Sequence, residues 1–135
     1  SLNDAVDTVF AAISNAMSGE IYVPHVPSAR IVDVASALIG KRPIKQSVTG
    51  VRPGEKIHEI LVSDEEAYRT VERDKWYVIL PMLPEICGDQ TGSGCLTSEY
   101  SSKDSVMDLK STRELLKAHG LLVEDTRINE SELLR

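Results

Sequence analysis

Few segments of this sequence carry the apolar pattern of a β-strand, and this scarcity constrains the fold most. The candidates are Ile21–Val23, Ile44–Thr49 and Trp76–Leu80. They alternate with segments of helical periodicity, which predicts an α/β or α+β unit with about two to four short strands. So few strands cannot form a complete doubly wound sheet.

Helices are expected where a capping residue precedes an apolar run. The clearest helical period comes first, with apolar side chains at Val6, Val9, Phe10 and Ile13. The expected starts are Ser1 or Asn3, Ser28, Glu55, Ser63 and Ser111, and the expected glycine stops are Gly19, Gly40 and Gly120. Residues 81–104 are rich in Gly, Ser and Thr and are expected to form a long loop.

The length of 135 residues fits one domain. We assign residues 1–120 to this domain and residues 121–135 to a polar C-terminal tail. No apolar run approaches the roughly 18 residues of a membrane span and no signal-like stretch begins the sequence, so a cytoplasmic protein is expected. Because the sequence begins with Ser1 and not with Met, we expect a piece of a longer polypeptide.

No metal site is expected. Cys87 and Cys95 are too few for a disulfide framework or a four-ligand zinc site. His58-Glu59 begins like a zinc-protease helix but lacks the second histidine. We assign His25 to a loop, with a position facing the site of the full protein as the alternative. We assign Tyr100 to packing within a loop, with a position facing the ligand as the alternative.

Charge is distributed unevenly along the sequence. The net charge is −6, which argues against nucleic acid as a partner. Residues 41–56 nevertheless hold five basic residues and one acid, a local charge of +4 that leaves −10 for the rest. A compact basic segment in an acidic protein suits a small anionic ligand.

The motif Arg52-Pro53-Gly54-Glu55 lies within this basic segment. Pro53 fixes φ and Gly54 permits a sharp turn, so we expect a strand, a turn and then a helix. Arg52 could present its planar fork to a diphosphate, the start of the helix would add backbone N–H donors, and Glu55 could accept from sugar hydroxyls. The alternative is an ordinary surface turn with a solvated arginine and a capping glutamate.

The longer segment VRPGEKIHEILVSDEEAYRTVERDKWYVILP, residues 51–81, resembles a C-terminal signature of extended short-chain dehydrogenases/reductases. The resemblance is to their bacterial polysaccharide-biosynthesis branch, which includes UDP-N-acetylglucosamine 4,6-dehydratases and capsular UDP-glucose 4-epimerases. SLNDAVDTVFAAI, GEIYVPHVPSARIVDVASAL and TSEYSSKD are similar to neighbouring parts of the same group, so the resemblance covers residues 1–120.

The resemblance implies a UDP-sugar ligand, with Arg52 on the diphosphate and Glu55 on the ribose or uracil. It also implies NAD or NADP as cofactor of the intact enzyme and a homo-oligomer. The sequence departs from the family because it lacks the N-terminal Rossmann half with its glycine-rich loop, and no tyrosine has a lysine four residues later. We therefore expect a small substrate-binding domain that is not catalytic alone.

Two functions remain open at this point. The first is the UDP-sugar-binding portion of a 4,6-dehydratase (a lyase) or a 4-epimerase (an isomerase) in bacterial capsule or surface-polysaccharide biosynthesis. The second is a free-standing, non-catalytic module that senses a ligand or binds another protein. Titration with UDP would distinguish them.

Overall fold

The computed structural model describes residues 1–87 and 94–123. In chain order the described elements are α1 (Leu2–Asn15), β1 (Ile21–Pro24), β2 (Ser28–Ala29), α2 (Ile31–Ile39), β3 (Ile60–Val62), α3 (Asp64–Ala67), β4 (Thr70–Arg73), β5 (Trp76–Ile79), α4 (Pro84–Cys87), β6 (Tyr100–Ser101), β7 (Val106–Met107) and α5 (Leu109–Ala118). This mixture of short helices and open sheets confirms the predicted fold class. No helix in the described ranges is long and apolar enough to span a bilayer.

The chain forms two compact units that interleave along the sequence. Unit 1 comprises residues 1–26 and 56–105, and unit 2 comprises residues 27–55 and 106–135. Most of the predicted tail, residues 124–135, and part of the predicted loop, residues 88–93, lie outside the described residues.

Unit 1 is built on an antiparallel sheet in the order β1-β5-β4. β4 and β5 form a hairpin in which Asp74 adopts a positive φ of 54°, a conformation that Asp tolerates better than most residues. β3 pairs with β6 in a separate antiparallel ladder that brings Val62 opposite Tyr100. Val23, Val62, Ile79 and Tyr100 form the buried apolar cluster of this unit.

Unit 2 packs α2 against α5 and adds a short parallel ladder between β2 and β7. The first turn of α2 contributes a buried carboxylate, Asp33, which accepts from Arg30 Nε at 2.7 Å. Asp108 caps α5 and accepts from the Ser111 backbone N–H at 2.7 Å, which lowers the pKa of its carboxyl.

Several boundaries confirm the sequence patterns. α1 begins with a capping box between Ser1 and Asp4, and α3 begins with the predicted box between Ser63 and Glu66. α2 ends at Gly40, where φ is 60°. The predicted strands at residues 21–23 and 76–80 are also present, as β1 and β5.

Two predicted helices are present but begin at other residues than expected. Ser28 lies in β2, and the N-cap of α2 is Arg30, two residues later, because Ser28 pairs with Val106 instead. Ser111 is the third residue of α5 and not its cap, because Asp108 occupies that position. A Ser-x-x-Glu pattern alone could not separate a cap from an early helical position.

The predicted strand at Ile44–Thr49 was also wrong, and so was the predicted helix near Glu55. Residues 41–59 are all exposed and contain neither helix nor strand. The alternation at 44–49 has no partner strand among the described residues, and an unpaired strand is not stable in water. The apolar run after Glu55 instead becomes β3, whose pairing with β6 favours the extended backbone.

Candidate functional site

Arg52-Pro53-Gly54-Glu55 forms a closed reverse turn. The Glu55 backbone N–H donates to the Arg52 carbonyl oxygen at 3.0 Å, and Gly54 has a φ of 85°. Proline at the second position and a positive φ at the third are the features of a type II turn. The predicted turn is therefore confirmed, although no helix follows it.

The two side chains predicted to bind the ligand meet across this turn. One Glu55 carboxylate oxygen accepts from the Arg52 backbone N–H at 2.8 Å, and the other lies 3.9 Å from Arg52 Nε. The Arg52 side chain is 81% exposed. Such an exposed ion pair contributes little to stability, so an incoming phosphate can replace the carboxylate at the guanidinium with little loss.

The absence of a helix after the turn removes one element of the predicted site. Without helical backbone N–H groups after Glu55, no helix dipole contributes to anion binding here. Any affinity of the turn for an anion therefore depends on the Arg52 guanidinium and on the lysines of the basic segment.

One residue of the basic segment has a structural role. Arg42 donates from Nε to the Ile39 carbonyl at 3.1 Å and from Nη2 to the Leu38 carbonyl at 2.8 Å. These are carbonyls at the end of α2, so Arg42 stabilises the helix C-terminus. An arginine two residues after the Gly40 stop was the sequence signal for this role. Lys41 and Lys45 remain exposed.

The turn needs glycine at position 54. We expect Gly54→Ala to lower the free energy of unfolding by about 1 kcal/mol, because a Cβ is strained at a φ of 85°. Steric crowding does not contribute to this effect, since a Cβ at this position would have no heavy atom within 4 Å. Urea unfolding should show Gly54→Asn to be milder, because Asn tolerates positive φ. Equal losses for the two variants would contradict a turn-based origin.

A cluster of aromatic rings lies in unit 1. The His25 ring lies 4.0 Å from the Tyr77 ring, and the Tyr77 ring lies 4.9 Å from the Tyr100 ring, measured between centroids. Tyr100 is buried, which confirms its expected packing role, and His25 follows β1 in a loop as predicted. Burial, followed by the nearby Cys95, raises the pKa of Tyr77 above its ordinary value.

The other candidate groups in the described ranges are side chains that could bind a metal ion and the thiol of Cys95. Among these residues no three His, Cys, Asp or Glu side chains are placed to hold a metal ion. Cys95 is a free thiol, and desolvation raises its pKa, which makes it a poor nucleophile.

Sequence patterns also missed a buried ion pair in unit 1. Arg73 donates from both terminal nitrogens to the Glu20 carboxylate, at 2.8 and 2.6 Å. The two residues are 53 positions apart, so no local spacing could indicate their contact. This pair joins the turn before β1 to β4 and is structural.

Comparisons with known proteins agree with the sequence resemblance. Residues 1–81 match the family described as "Polysaccharide biosynthesis protein". A UDP-N-acetylglucosamine 4,6-dehydratase (inverting) of Campylobacter jejuni is 36% identical over 83 residues, which are 62% of this chain and 24% of that protein. A UDP-glucose 4-epimerase of Rickettsia bellii is 37% identical over 81 residues, which are 58% of this chain and 24% of that protein.

The fold also has a solved counterpart. Pen from Bacillus thuringiensis superimposes with a TM-score of 0.74 at 24% identity, over 90% of this chain and 37% of that one. This likeness concerns the fold alone. The chain spans about a quarter of the length of the dehydratase and the epimerase that it matches. Since the family match covers more than half of its residues, the chain belongs to the polysaccharide biosynthesis protein family.

Proposed function

We propose that this chain is the UDP-sugar-binding portion of a cytoplasmic nucleotide-sugar 4,6-dehydratase or 4-epimerase of bacterial surface-polysaccharide biosynthesis. The observation that carries the proposal is the closed turn at residues 52–55, which holds an exposed guanidinium and a carboxylate side by side. The relatives named for UDP-N-acetylglucosamine and UDP-glucose supply the substrate class.

In this proposal Arg52 binds the diphosphate of UDP. Its planar guanidinium can donate two parallel N–H bonds to phosphate oxygens, which fixes the direction of the ligand as well as holding it. Glu55 accepts from hydroxyl or N–H groups of the nucleoside. The hydrogen bond from the Arg52 backbone N–H fixes the Glu55 carboxylate before the ligand arrives.

The chain's role is to place the sugar, because binding energy from the remote UDP group positions the reacting hexose. The described residues do not fit a dinucleotide cofactor. The N-termini of α1, α3 and α5 are already occupied by the capping side chains of Ser1 with Asp4, Ser63 with Glu66, and Asp108, and α2, which has no side-chain cap, carries the carboxylate of Asp33 in its first turn. Carboxylates at these positions would repel a pyrophosphate. We propose that NAD or NADP binds to a Rossmann half outside this sequence and that this chain is not catalytic alone.

Removal of the Arg52 guanidinium should weaken UDP binding. Hydrogen bonds to a charged group contribute about 1.5–3 kcal/mol, so Arg52→Ala should raise the Kd for UDP roughly 10- to 150-fold. The Kd of Arg52→Lys should lie between those of the wild type and Arg52→Ala, because lysine keeps the positive charge but loses the planar guanidinium that donates two parallel N–H bonds. Isothermal titration calorimetry would measure these values, first on this chain and then on the intact parent polypeptide.

Two further variants make the titration more specific. Lys110→Ala removes one exposed positive charge from α5 and should leave the Kd unchanged. Glu55→Ala should weaken binding of UDP but not of inorganic diphosphate, since it removes a nucleoside contact and releases the Arg52 guanidinium. UDP binding by the intact protein that survives Arg52→Ala would contradict the proposed role, and absence of UDP binding by the intact protein would contradict the proposed function.

A further inference from the structure

The segment TSEYSSKD, residues 97–104, has no part in the proposed function so far. Its Tyr100 and Ser101 form β6, which pairs with β3. Both residues are buried, with Tyr100 8% and Ser101 1% exposed. The segment is therefore anchored in the core of unit 1, from which it can hold other parts of the chain in place.

The backbone around β6 is restrained on both sides. The Asp104 backbone N–H donates to the Ser101 carbonyl at 3.1 Å, which closes a turn directly after the strand. One Asp104 carboxylate oxygen accepts from the Ser101 backbone N–H at 2.7 Å and from Ser101 Oγ at 3.2 Å. Before the strand, the Glu99 backbone N–H donates to Asp64 Oδ1 at 2.7 Å. Ser102 thus lies within a turn whose backbone is well defined.

Ser102 bonds to both backbone polar groups of Glu59. Its N–H donates to the Glu59 carbonyl at 2.9 Å, and its Oγ accepts from the Glu59 N–H at 3.0 Å. In a regular antiparallel ladder that N–H would donate to the carbonyl of the opposite residue. Because the chain turns after Ser101, the side-chain hydroxyl replaces the carbonyl, so the ladder extends one residue beyond Ile60. Serine and threonine carry such a hydroxyl, and alanine does not.

Glu59 is close in sequence to the ligand turn at residues 52–55. Residues 56–58 alone separate it from Glu55. Residues 41–59 are exposed and contain neither helix nor strand, so no secondary structure of their own restrains the turn. Ordering such a segment costs conformational entropy, and a fixed residue nearby reduces the number of conformations that the chain has to give up.

We propose that Ser102 is a positioning residue for the ligand turn. By holding Glu59, it limits the motion of the chain that leaves Glu55 and raises the fraction of molecules in which the turn is closed. The effect passes along the covalent chain and requires no contact between Ser102 and the ligand. Apparent affinity scales with the fraction of molecules that are competent to bind. The proposal rests on the proposed function, since it takes UDP as the ligand of the turn.

Backbone dynamics test the positioning role without any ligand. In ¹⁵N relaxation measurements on this chain, the amides of Arg52, Gly54 and Glu55 should have order parameters near about 0.85 in the wild type and below about 0.6 in Ser102→Ala. Ser102→Thr should keep the wild-type values, because it keeps the hydroxyl. Ser98→Ala should keep them too, and it is the matched control because Ser98 is an exposed serine of the same segment.

The β4–β5 hairpin provides the internal reference for these spectra, because it belongs to unit 1 but not to the pair of Glu59 and Ser102. Its order parameters should be equal in all four proteins. Equal values at the ligand turn in the wild type and Ser102→Ala would overturn the proposal. A loss of order in Ser102→Ala that included the hairpin would also overturn it, since it would show that Ser102 supports the fold in general.

Titration of the intact parent polypeptide measures the consequence for binding. Ser102→Ala should raise the Kd for UDP about 5- to 30-fold, the effect of fixing the backbone of one more residue on binding. The Kd for inorganic diphosphate should rise by the same factor, because the turn is positioned as a whole. Ser102→Thr and Ser98→Ala should bind like the wild type. A Ser102→Thr variant as weak as Ser102→Ala would overturn the role of the hydroxyl.

Failure of this proposal is distinguishable from failure of the proposed function. The relaxation measurements contain no ligand, and UDP binding by the wild type does not depend on how Ser102 acts. Unchanged order parameters and Kd in Ser102→Ala, in a protein that binds UDP through Arg52, would reject the positioning role alone. A turn that loosens in Ser102→Ala, in a protein that does not bind UDP, would support the coupling between Ser102 and the turn and would reject UDP as its ligand.

Discussion

Replacement of Arg73 with Ala is expected to lower the free energy of unfolding by about 3–5 kcal/mol, because it leaves a buried carboxylate without its counter-charge. The Glu20 side chain is 1% exposed, and both of its oxygens accept from Arg73. The Met17 backbone N–H, at 2.9 Å, would still donate to it. Since small domains are stable by about 5–15 kcal/mol, the loss would be a large fraction of the total.

The stability of this pair should depend on pH in a defined direction. Burial acts to raise the pKa of Glu20, but the Arg73 hydrogen bond, the Met17 N–H and the Arg73 charge outweigh it, so the pKa lies below its ordinary 4.5. A lowered pKa in the folded state stabilises the protein above the ordinary value, and this contribution is lost as the pH falls through the lowered pKa. The difference between wild type and Arg73→Ala should therefore shrink in acid.

Urea unfolding at neutral pH and at a series of acidic pH values would measure both effects. Lys110→Ala is the control, because this lysine is exposed and its pairing with Glu114 at 4.0 Å contributes little. Glu20→Leu combined with Arg73→Met should recover much of the loss, since apolar residues often replace a buried ion pair at no net cost. A loss below 1 kcal/mol for Arg73→Ala would show that the pair is not buried in solution.

The sequence predicted elements whose signals are local. The capping box at Ser63, the stop at Gly40 and the strand Ile21–Val23 each depend on a few adjacent residues. It failed where a distant partner decides the conformation. β4 was missed because Thr70–Arg73 becomes a strand only by pairing with β5, and β6 was missed inside a predicted loop because it forms only by pairing with β3.

The candidate site was likewise predicted where its signal is local and missed where it is not. The turn at residues 52–55 could be predicted because Pro53 and Gly54 restrict the backbone locally. The contact between Glu55 and the Arg52 backbone N–H was not predicted. Glu55 was expected at the start of a helix, where its carboxylate would accept from sugar hydroxyls. The exposure of Leu2, Phe10 and Ile13 on α1 could not be predicted either, since a periodic apolar face does not reveal whether it is covered.

Truncation of Tyr100 tests a part of the core that lies in a segment predicted to be a loop. Tyr100 is 8% exposed and packs with Val23, Val62 and Ile79, and its ring meets Tyr77 edge to face. Tyr100→Ala should lower the free energy of unfolding by about 3–5 kcal/mol, the usual cost of removing a buried aromatic ring and leaving a cavity.

Tyr100→Phe separates the ring from its hydroxyl. Because Phe keeps the contact with Tyr77 and fills the same volume, we expect a loss well below that of Tyr100→Ala in urea unfolding. Hydrogen exchange adds a structural measurement: the β3–β6 ladder pairs Val62 with Tyr100, so its amides should lose protection in Tyr100→Ala and keep it in Tyr100→Phe. Unchanged protection in Tyr100→Ala would show that backbone pairing with β3 holds β6 in place without the aromatic side chain of Tyr100.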